Sequence, residues 1–317
     1  MIARTTKKEL GDGQMDTSND AARDALIWND WHPVAALDGL RAGRTQLLGV
    51  ALYVEPGDGS PNAPRVTRLD LGTPCHARAR HGVVWACLGE PRADIVAIPE
   101  TAEPDRRLLH AGAFRVHVSG LRAVENFLDM GHFPFVHTGY LGVEPYTEVA
   151  PYRIEHDEAN DELYARDCRF YQPRAAMTAD AALDVQYVYR VARPYIAVLY
   201  KTCPPQPARF DVIALFVQPL DDEWCVAHTV MSYLDDASPD EALRGFQQTI
   251  FAQDIKILVN QVPRRLPLTA GSEHPVLADA MSVAYRRWLR ARGVTYGTTD
   301  GAVAGTTASP SQGAQHG

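Results

Sequence analysis

A chain of 317 residues with 46% hydrophobic content can hold one large domain or two modest ones around a real core. A net charge of −8 argues against a general nucleic-acid binder, and no apolar run approaches the ~18 residues that a membrane span needs. The cysteines (Cys75, Cys87, Cys168, Cys203, Cys225) are scattered and odd in number, and the N-terminus has no apolar signal core, so a reduced, cytoplasmic protein without disulfides is expected.

Residues 1–25 are polar and poorly patterned, and read as a loose arm. Order is expected from Trp28 and Trp31. Segments 46–53, 65–71 and 82–87 have strand composition, with a run of turn formers over 56–64 between the first two. They define a small β-rich unit over 26–100. The larger remainder, 101–296, opens with a short helix expected over 120–131. Strands are expected over 163–171, 183–191, 195–202, 211–218 and 224–234, which suggests an antiparallel sheet. Ser238-Pro239-Asp240-Glu241 predicts a helix start with Ser238 as cap, and Pro263 predicts its end near Asn260. A last helix is expected over 279–292, closed by Gly293. Residues 297–317 are rich in Gly, Thr, Ala, Ser and Gln and read as a disordered tail.

Chemistry concentrates in Glu125-Asn126-Phe127-Leu128-Asp129-Met130-Gly131-His132-Phe133-Pro134-Phe135-Val136-His137. With 121–131 helical, Asn126 and Asp129 share an edge and His132 lies one turn beyond Asp129. Pro134 is expected to break the helix between the two histidines, so H-x4-H is a helix-end-plus-loop pair. Two imidazoles and one carboxylate suffice for an octahedral ferrous site with open positions. The candidate carboxylate is Asp254. Gln247, Phe251 and Asp254, spaced i, i+4, i+7, share a helix face that could wall a pocket. Spacing alone leaves other readings open: Asp254 as a solvated helix residue, and His132 and His137 as hydrogen-bonded core histidines.

The run Glu125-Asn126-x2-Asp129-x2-His132-x4-His137 resembles the mononuclear-iron motif of the Rieske-type non-heme iron oxygenases, in their catalytic alpha subunit. Trp31-His32-Pro33-Val34 and Gly82-Val83-Val84-Trp85-Ala86-Cys87-Leu88-Gly89-Glu90-Pro91 resemble the opening and closing strands of that family's Rieske domain. Phe251-Ala252-Gln253-Asp254 resembles its later aspartate segment, and Ala284-Tyr285-Arg286-Arg287-Trp288-Leu289 its final helix. The likeness spans roughly residues 28–296. Within the family it runs toward the bacterial methylxanthine N-demethylase oxygenase components, in particular those acting at N7. The similar segments there are 124–138, 246–254, 261–268 and 290–297.

The resemblance implies an α+β Rieske-oxygenase architecture. It has a β-sandwich first and a helix-grip-like domain with a curved antiparallel sheet second. It implies Fe(II) held by His132, His137 and Asp254. Asp129 would be the carboxylate bridging toward an electron donor, with Asn126 beside the iron. For a flat purine-like substrate, Phe251 could stack on the ring and Gln247 could hydrogen-bond to it; ordinary packing is the other reading of both. One departure is large. The family's [2Fe-2S] cluster needs C-x-H followed by C-x2-H. Neither pattern occurs before residue 100, so this chain is expected to lack its own iron–sulfur centre and to have a reduced, cluster-less sandwich.

The implied function is an Fe(II)- and O2-dependent N-demethylase of a methylxanthine such as 7-methylxanthine, releasing formaldehyde. NADH and a [2Fe-2S] cluster would act through a partner, either a Rieske-containing reductase or a cluster-bearing homologous subunit. A homotrimer or mixed hexamer is expected. Two alternatives remain: the same iron chemistry on another N- or O-methylated or aromatic substrate, and a non-catalytic structural subunit. Retention of the whole donor set together with Asp129 argues against the latter. A metal hydrolase is disfavoured, because no carboxylate is placed as general base beside H-x4-H.

Overall fold

The computed structural model describes residues 24–300, apart from 58–59, 175 and 177–180. The expected arm and tail therefore lie outside the described residues, except for 24–25 and 297–300.

After one helical turn, α1 (Ala25–Trp28), come β1 (His32–Ala36), β2 (Gly43–Leu47), β3 (Val50–Gly57), β4 (Ser60–Arg68), β5 (His76–Arg80) and β6 (Val83–Cys87). They form two antiparallel three-stranded sheets, β1-β6-β5 and β2-β3-β4. The single strand expected over 46–53 is in fact two. Leu47 pairs with Val50, and the loop between them puts Leu48 at φ 51° and Gly49 at φ 82°. A two-residue turn with both φ positive matches the twist of its strands, and Leu at its first position hides it from a reading of turn residues. The turn is held from outside: the Leu48 and Gly49 amides donate to Pro219 O (2.8 Å) and Leu220 O (2.7 Å).

The larger unit starts with β7 (Arg107–Val116), a strand the sequence reading did not place, followed by α2 (Gly120–Leu128) and α3 (Phe133–Val136). Then come β8 (Arg153–Asp157), β9 (Glu162–Gln172), β10 (Leu183–Arg193), β11 (Ile196–Thr202), β12 (Phe210–Pro219) and β13 (Cys225–Tyr233). Two helices follow, α4 (Asp240–Leu258) and α5 (Ala280–Ala291). The strands make one seven-stranded antiparallel sheet, ordered β7-β13-β12-β11-β10-β9-β8. This is the expected α+β arrangement: a small β-sandwich, then an antiparallel sheet with helices.

The sheet is covered on both faces, and the period of two along each strand shows how. Val212, Ala214 and Phe216 of β12, with Ile196 and Val198 of β11, pack against Trp31, Val83 and Trp85 of the small unit. Their neighbours Ile213, Leu215, Val217 and Leu199 face the helices in the main core. Phe216 meets the Trp85 ring edge-on at 4.8 Å. The sandwich thus serves as a back plate to the catalytic sheet.

Of two helix ends expected from the sequence, one differs and one is met. The predicted cap Ser238 gives no side-chain hydrogen bond to α4. Asp235 Oδ1 instead accepts from the amides of Ala237 (2.9 Å) and Ser238 (2.8 Å), and Arg107 pairs with Asp240. α5 ends as expected at Gly293 (φ 68°): its amide donates to Arg290 O and that of Val294 to Leu289 O, the Schellman pattern.

Candidate metal centre

The helix expected over 120–131 stops at Leu128, because Asp129 is extended (ψ 124°) and turns the chain. Asp129 Oδ1 then accepts from the Gly131 amide (2.8 Å). Pro134 does not break a helix between the histidines. It sits in the first turn of α3, where a missing N–H costs nothing, so His132 and His137 flank one helical turn. α2 can lie flat on the sheet because residue 120 is glycine: a Cβ there would come within 2.8 Å of Tyr195 and Val217.

The third donor comes from α4. β7 and β13 are out of register between Thr229 and Val230, a bulge that leaves Ala111 without a cross-strand partner. Gln248 Nε2 donates to Ala111 O (2.6 Å) and Arg244 Nε to His110 O (3.2 Å). These bonds clamp α4 to the strand and carry Asp254 to the histidines.

Among the described residues, His132, His137 and Asp254 are the group whose donor atoms converge as metal ligands do. His132 Nδ1–H donates to Asp129 Oδ2 (2.9 Å) and His137 Nδ1–H to Gln253 Oε1 (2.8 Å). Both partners are oxygen acceptors, so each Nδ1 carries a proton and Nε2 is the nitrogen left to bind a metal. The two Nε2 atoms are 3.1 Å apart, and they lie 3.3 and 3.1 Å from Asp254 Oδ1. Asp254 Oδ1 is buried and has no hydrogen-bond partner. Three electron-rich atoms packed this closely repel one another unless a cation sits among them.

The spacing also suits the ion. Bonds of ~2.1 Å meeting at right angles separate their donors by ~3.0 Å, and tetrahedral angles separate them by ~3.4 Å. Two of the three observed edges, both 3.1 Å, lie nearer the octahedral value, and the third, 3.3 Å, lies nearer the tetrahedral one. The field tells the same story. Burial lowers the His132 pKa, but Asp129 and Asp254 outweigh it and raise it to about 9. Burial raises the Asp254 pKa, yet the two histidines bring it down to about 2. Positive charge is stabilised here whatever carries it.

Two cavities meet at this centre. The inner one contains all three donors and both candidate contacts, Gln247 and Phe251, together with Tyr187, Tyr189 and Lys201 from the sheet. Its volume of about 60 Å³ holds a few waters, so a bicyclic ring needs side chains of the wall to turn aside. Phe251 also stacks on Phe114 at 4.6 Å, so packing and wall-building are both true of it. The outer cavity, about 500 Å³, is lined by Asp129, Arg286, Arg287 and Glu273. Asn126 and His132 line both. Behind them a ring of charges ties α2 to α5: Arg122 and Arg286 each pair with Glu125 and Glu273.

Gln253 and Lys201 are the functional candidates that sequence reading missed. The only signal for Gln253 was its place beside Asp254. Lys201 gave none, since apart from Leu199 its neighbours in the cavity come from other strands and from helices.

Among the described residues of the small unit no second group of metal donors converges. His81 is bonded to Thr101 Oγ1 (2.7 Å) and Val96 O (2.8 Å), and His32 Nε2 to Ile27 O (2.8 Å). His76 stands half-exposed beside Glu90, and the Cys87 thiol lies against backbone carbonyls. No helix among the described residues is long and apolar enough to cross a membrane.

Comparison with known proteins agrees with this geometry. The chain is 51% identical over 283 residues to a probable methylxanthine N7-demethylase of Pseudomonas sp. (strain TJI-51), covering 88% of this chain and 99% of the relative. It is 26% identical to the methylxanthine N3-demethylase of Pseudomonas putida, over 66% of this chain and 57% of that one. The fold is shared with NdmA of Pseudomonas putida in its structure with caffeine, at a TM-score of 0.67 and 17% identity, covering 84% of this chain and 90% of that one. Residues 116–293, which contain every donor and orienting residue described above, match the vanillate O-demethylase oxygenase C-terminal domain. The chain therefore belongs to that family, as a catalytic component of the Rieske-type non-heme iron oxygenases with a mononuclear iron centre and no iron–sulfur ligands of its own.

Proposed function

We propose that this chain removes the N7-methyl group of 7-methylxanthine or a close methylxanthine, using ferrous iron and dioxygen. The observation that carries the reading is the donor triad opening into an aromatic cavity, in a chain alike over nearly the whole length of a probable methylxanthine N7-demethylase. Iron bound by His132, His137 and Asp254 would supply the dioxygen chemistry that hydroxylates the methyl carbon. The N-hydroxymethyl product then falls apart to formaldehyde and a free N–H.

The chain's own residues prepare that event. Asp129 and Gln253 fix the two imidazoles with Nε2 inward. The aromatic wall, Phe251 included, clamps a flat ring, and the Gln247 amide meets its polar edge. Electrons come from a Rieske-bearing partner, a reductase that draws on NADH. Its cluster docks at the outer cavity, where Asp129 meets His132.

The test is to load the chain with iron, add methylxanthines, a Rieske-bearing reductase and NADH without oxygen, and then admit oxygen. Formaldehyde should appear in equal amount with the N7-demethylated purine. A ring-hydroxylated purine without formaldehyde would overturn N-demethylation. Turnover confined to O-methylated aromatics, the chemistry that names the family, would move the substrate class there.

A further inference from the structure

The inner cavity contains a charged side chain that metal binding does not use. Lys201 lies on β11 and is 6% exposed. It shares the helix-facing side of the sheet with Leu199 of the same strand and with Ile213, Tyr187 and Thr229 of the neighbouring strands, all of which line that cavity. The metal donors come from the opposite, helical wall. Its Nζ is 5.7 Å from the centre of the Tyr187 ring. Asp211 faces it in register on β12, and Asp211 Oδ1 also accepts from the Leu234 amide (2.9 Å). Burial pulls the Lys201 pKa down to about 8 against the attraction of Asp211, so the ammonium is held at a cost.

A buried lysine that only balanced a carboxylate would do so at a cost that well-packed apolar residues avoid. Placing it on the wall of an aromatic slot gives the charge a second use. An ammonium has three N–H donors, so it can serve an acceptor in the cavity alongside Asp211. Gln247, which the sequence marked as a substrate contact, also lines this cavity, from the helical wall. A flat ring between the walls would then be read from both sides by donors.

We propose that Lys201 is a specificity-determining residue that donates from the sheet wall to a ring carbonyl oxygen of the substrate, and so selects oxopurines over purines lacking that oxygen. The inference rests on the methylxanthine reading above and adds the group that recognises the oxo edge. It directs the oxo edge to the sheet and leaves the methylated edge for the helical wall that holds the donors.

The test is equilibrium binding, which needs no turnover. Dissociation constants are measured for 7-methylxanthine and for its analogues lacking the C2 or the C6 oxygen, on the iron-loaded wild type and on Lys201→Met. The wild type should bind 7-methylxanthine ~10–100-fold more tightly than one of the two analogues, the range of a charge-assisted hydrogen bond. In Lys201→Met that preference should collapse to within about 2-fold, with iron content unchanged. Lys201→Gln, which keeps an N–H donor, should restore part of it. If Lys201→Met fails to fold, Lys201→Met/Asp211→Asn, which leaves no lone buried carboxylate, takes its place in the same measurement. Equal losses for all three ligands, or an unchanged preference, would overturn the proposal and return Lys201 to a structural ion pair. A wild type that binds none of the three would instead overturn the methylxanthine reading.

Discussion

The two cavities that share His132 and Asn126 differ in size and in the charge of their walls. The inner one is walled by tyrosine, phenylalanine and leucine with a few buried polar groups, and it receives the Nε2 atoms of both histidines. The outer one is broad, about 500 Å³, and lined by arginine and carboxylate side chains. His132 faces both ways, with Nε2 toward Asp254 and Nδ1 toward Asp129. The difference teaches how one centre can offer a narrow aromatic pocket at one end and a broad, charged approach at the other. Charge developing in the inner cavity is little screened, while a partner can approach from the charged side without displacing substrate. The wall between them is one imidazole and one amide thick.

The largest way to break this comparison is to remove a donor common to the inner cavity alone. His137 is 1% exposed and lines only that side. His137→Ala should lose bound iron to background and with it all detectable formaldehyde production, while the fold persists. Metal analysis after gel filtration checks this. Full iron retention would show that the donors are wrongly assigned.

The next variant separates the two sides. Asp129→Asn keeps an oxygen that can accept from His132 Nδ1–H but removes the charge on the outer face. Iron should stay bound, and turnover driven by the Rieske partner should fall by ~100-fold. A single turnover of chemically reduced protein, which needs no docking, should be nearly normal. Equal losses in both assays would mean that Asp129 supports the metal and has no part in electron entry.

What was legible in the sequence follows the same division between local and assembled features. The histidine pair, Asp129 and Asp254 were legible as candidates from local spacing around a short helix and along a helix face, while their roles at a metal came from the family resemblance. Five strands of the large sheet were legible from their runs of Val, Tyr, Ile and Phe. β7 and β8 were not; the burial of β7 follows no clean alternation and its middle is occupied by His110, Gly112 and a bulge, and β8 is a five-residue edge strand with three charged residues. The turn at Leu48 was hidden because tertiary hydrogen bonds to Pro219 and Leu220 hold a leucine at positive φ. Ser238 has the composition of a cap, but Pro239 takes the N-cap position, and Asp235 holds the approach to the helix by accepting from the Ala237 and Ser238 amides. Lys201 was invisible for the plainest reason: only pairing of β10, β11 and β12 puts it beside the tyrosines.

The smallest expected effect tests the finest part of the design, the acceptor that fixes His137. Gln253 Oε1 takes the Nδ1 proton of a fully enclosed imidazole (2.8 Å). In Gln253→Leu that N–H is left buried without a partner, at a penalty of ~1–3 kcal/mol. The ring can escape the penalty by moving its proton to Nε2, but a protonated Nε2 cannot bind metal. Either outcome weakens the site, so the affinity for ferrous iron should fall by about 10-fold, with fold and cavity walls unchanged. Gln253→Glu should hold or tighten it, because a charged acceptor makes the imidazole a better donor to the metal. Competition with a ferrous chelator measures both. Since Gln253 is on the α4 side and Asp129 on the α2 side, the two variants address one histidine each. Gln253→Leu should lower iron affinity without slowing the iron-saturated enzyme, whereas Asp129→Asn should do the reverse. A Gln253→Leu protein with wild-type affinity would show that packing alone orients His137, and that the orienting hydrogen bond matters only on the face where electrons arrive.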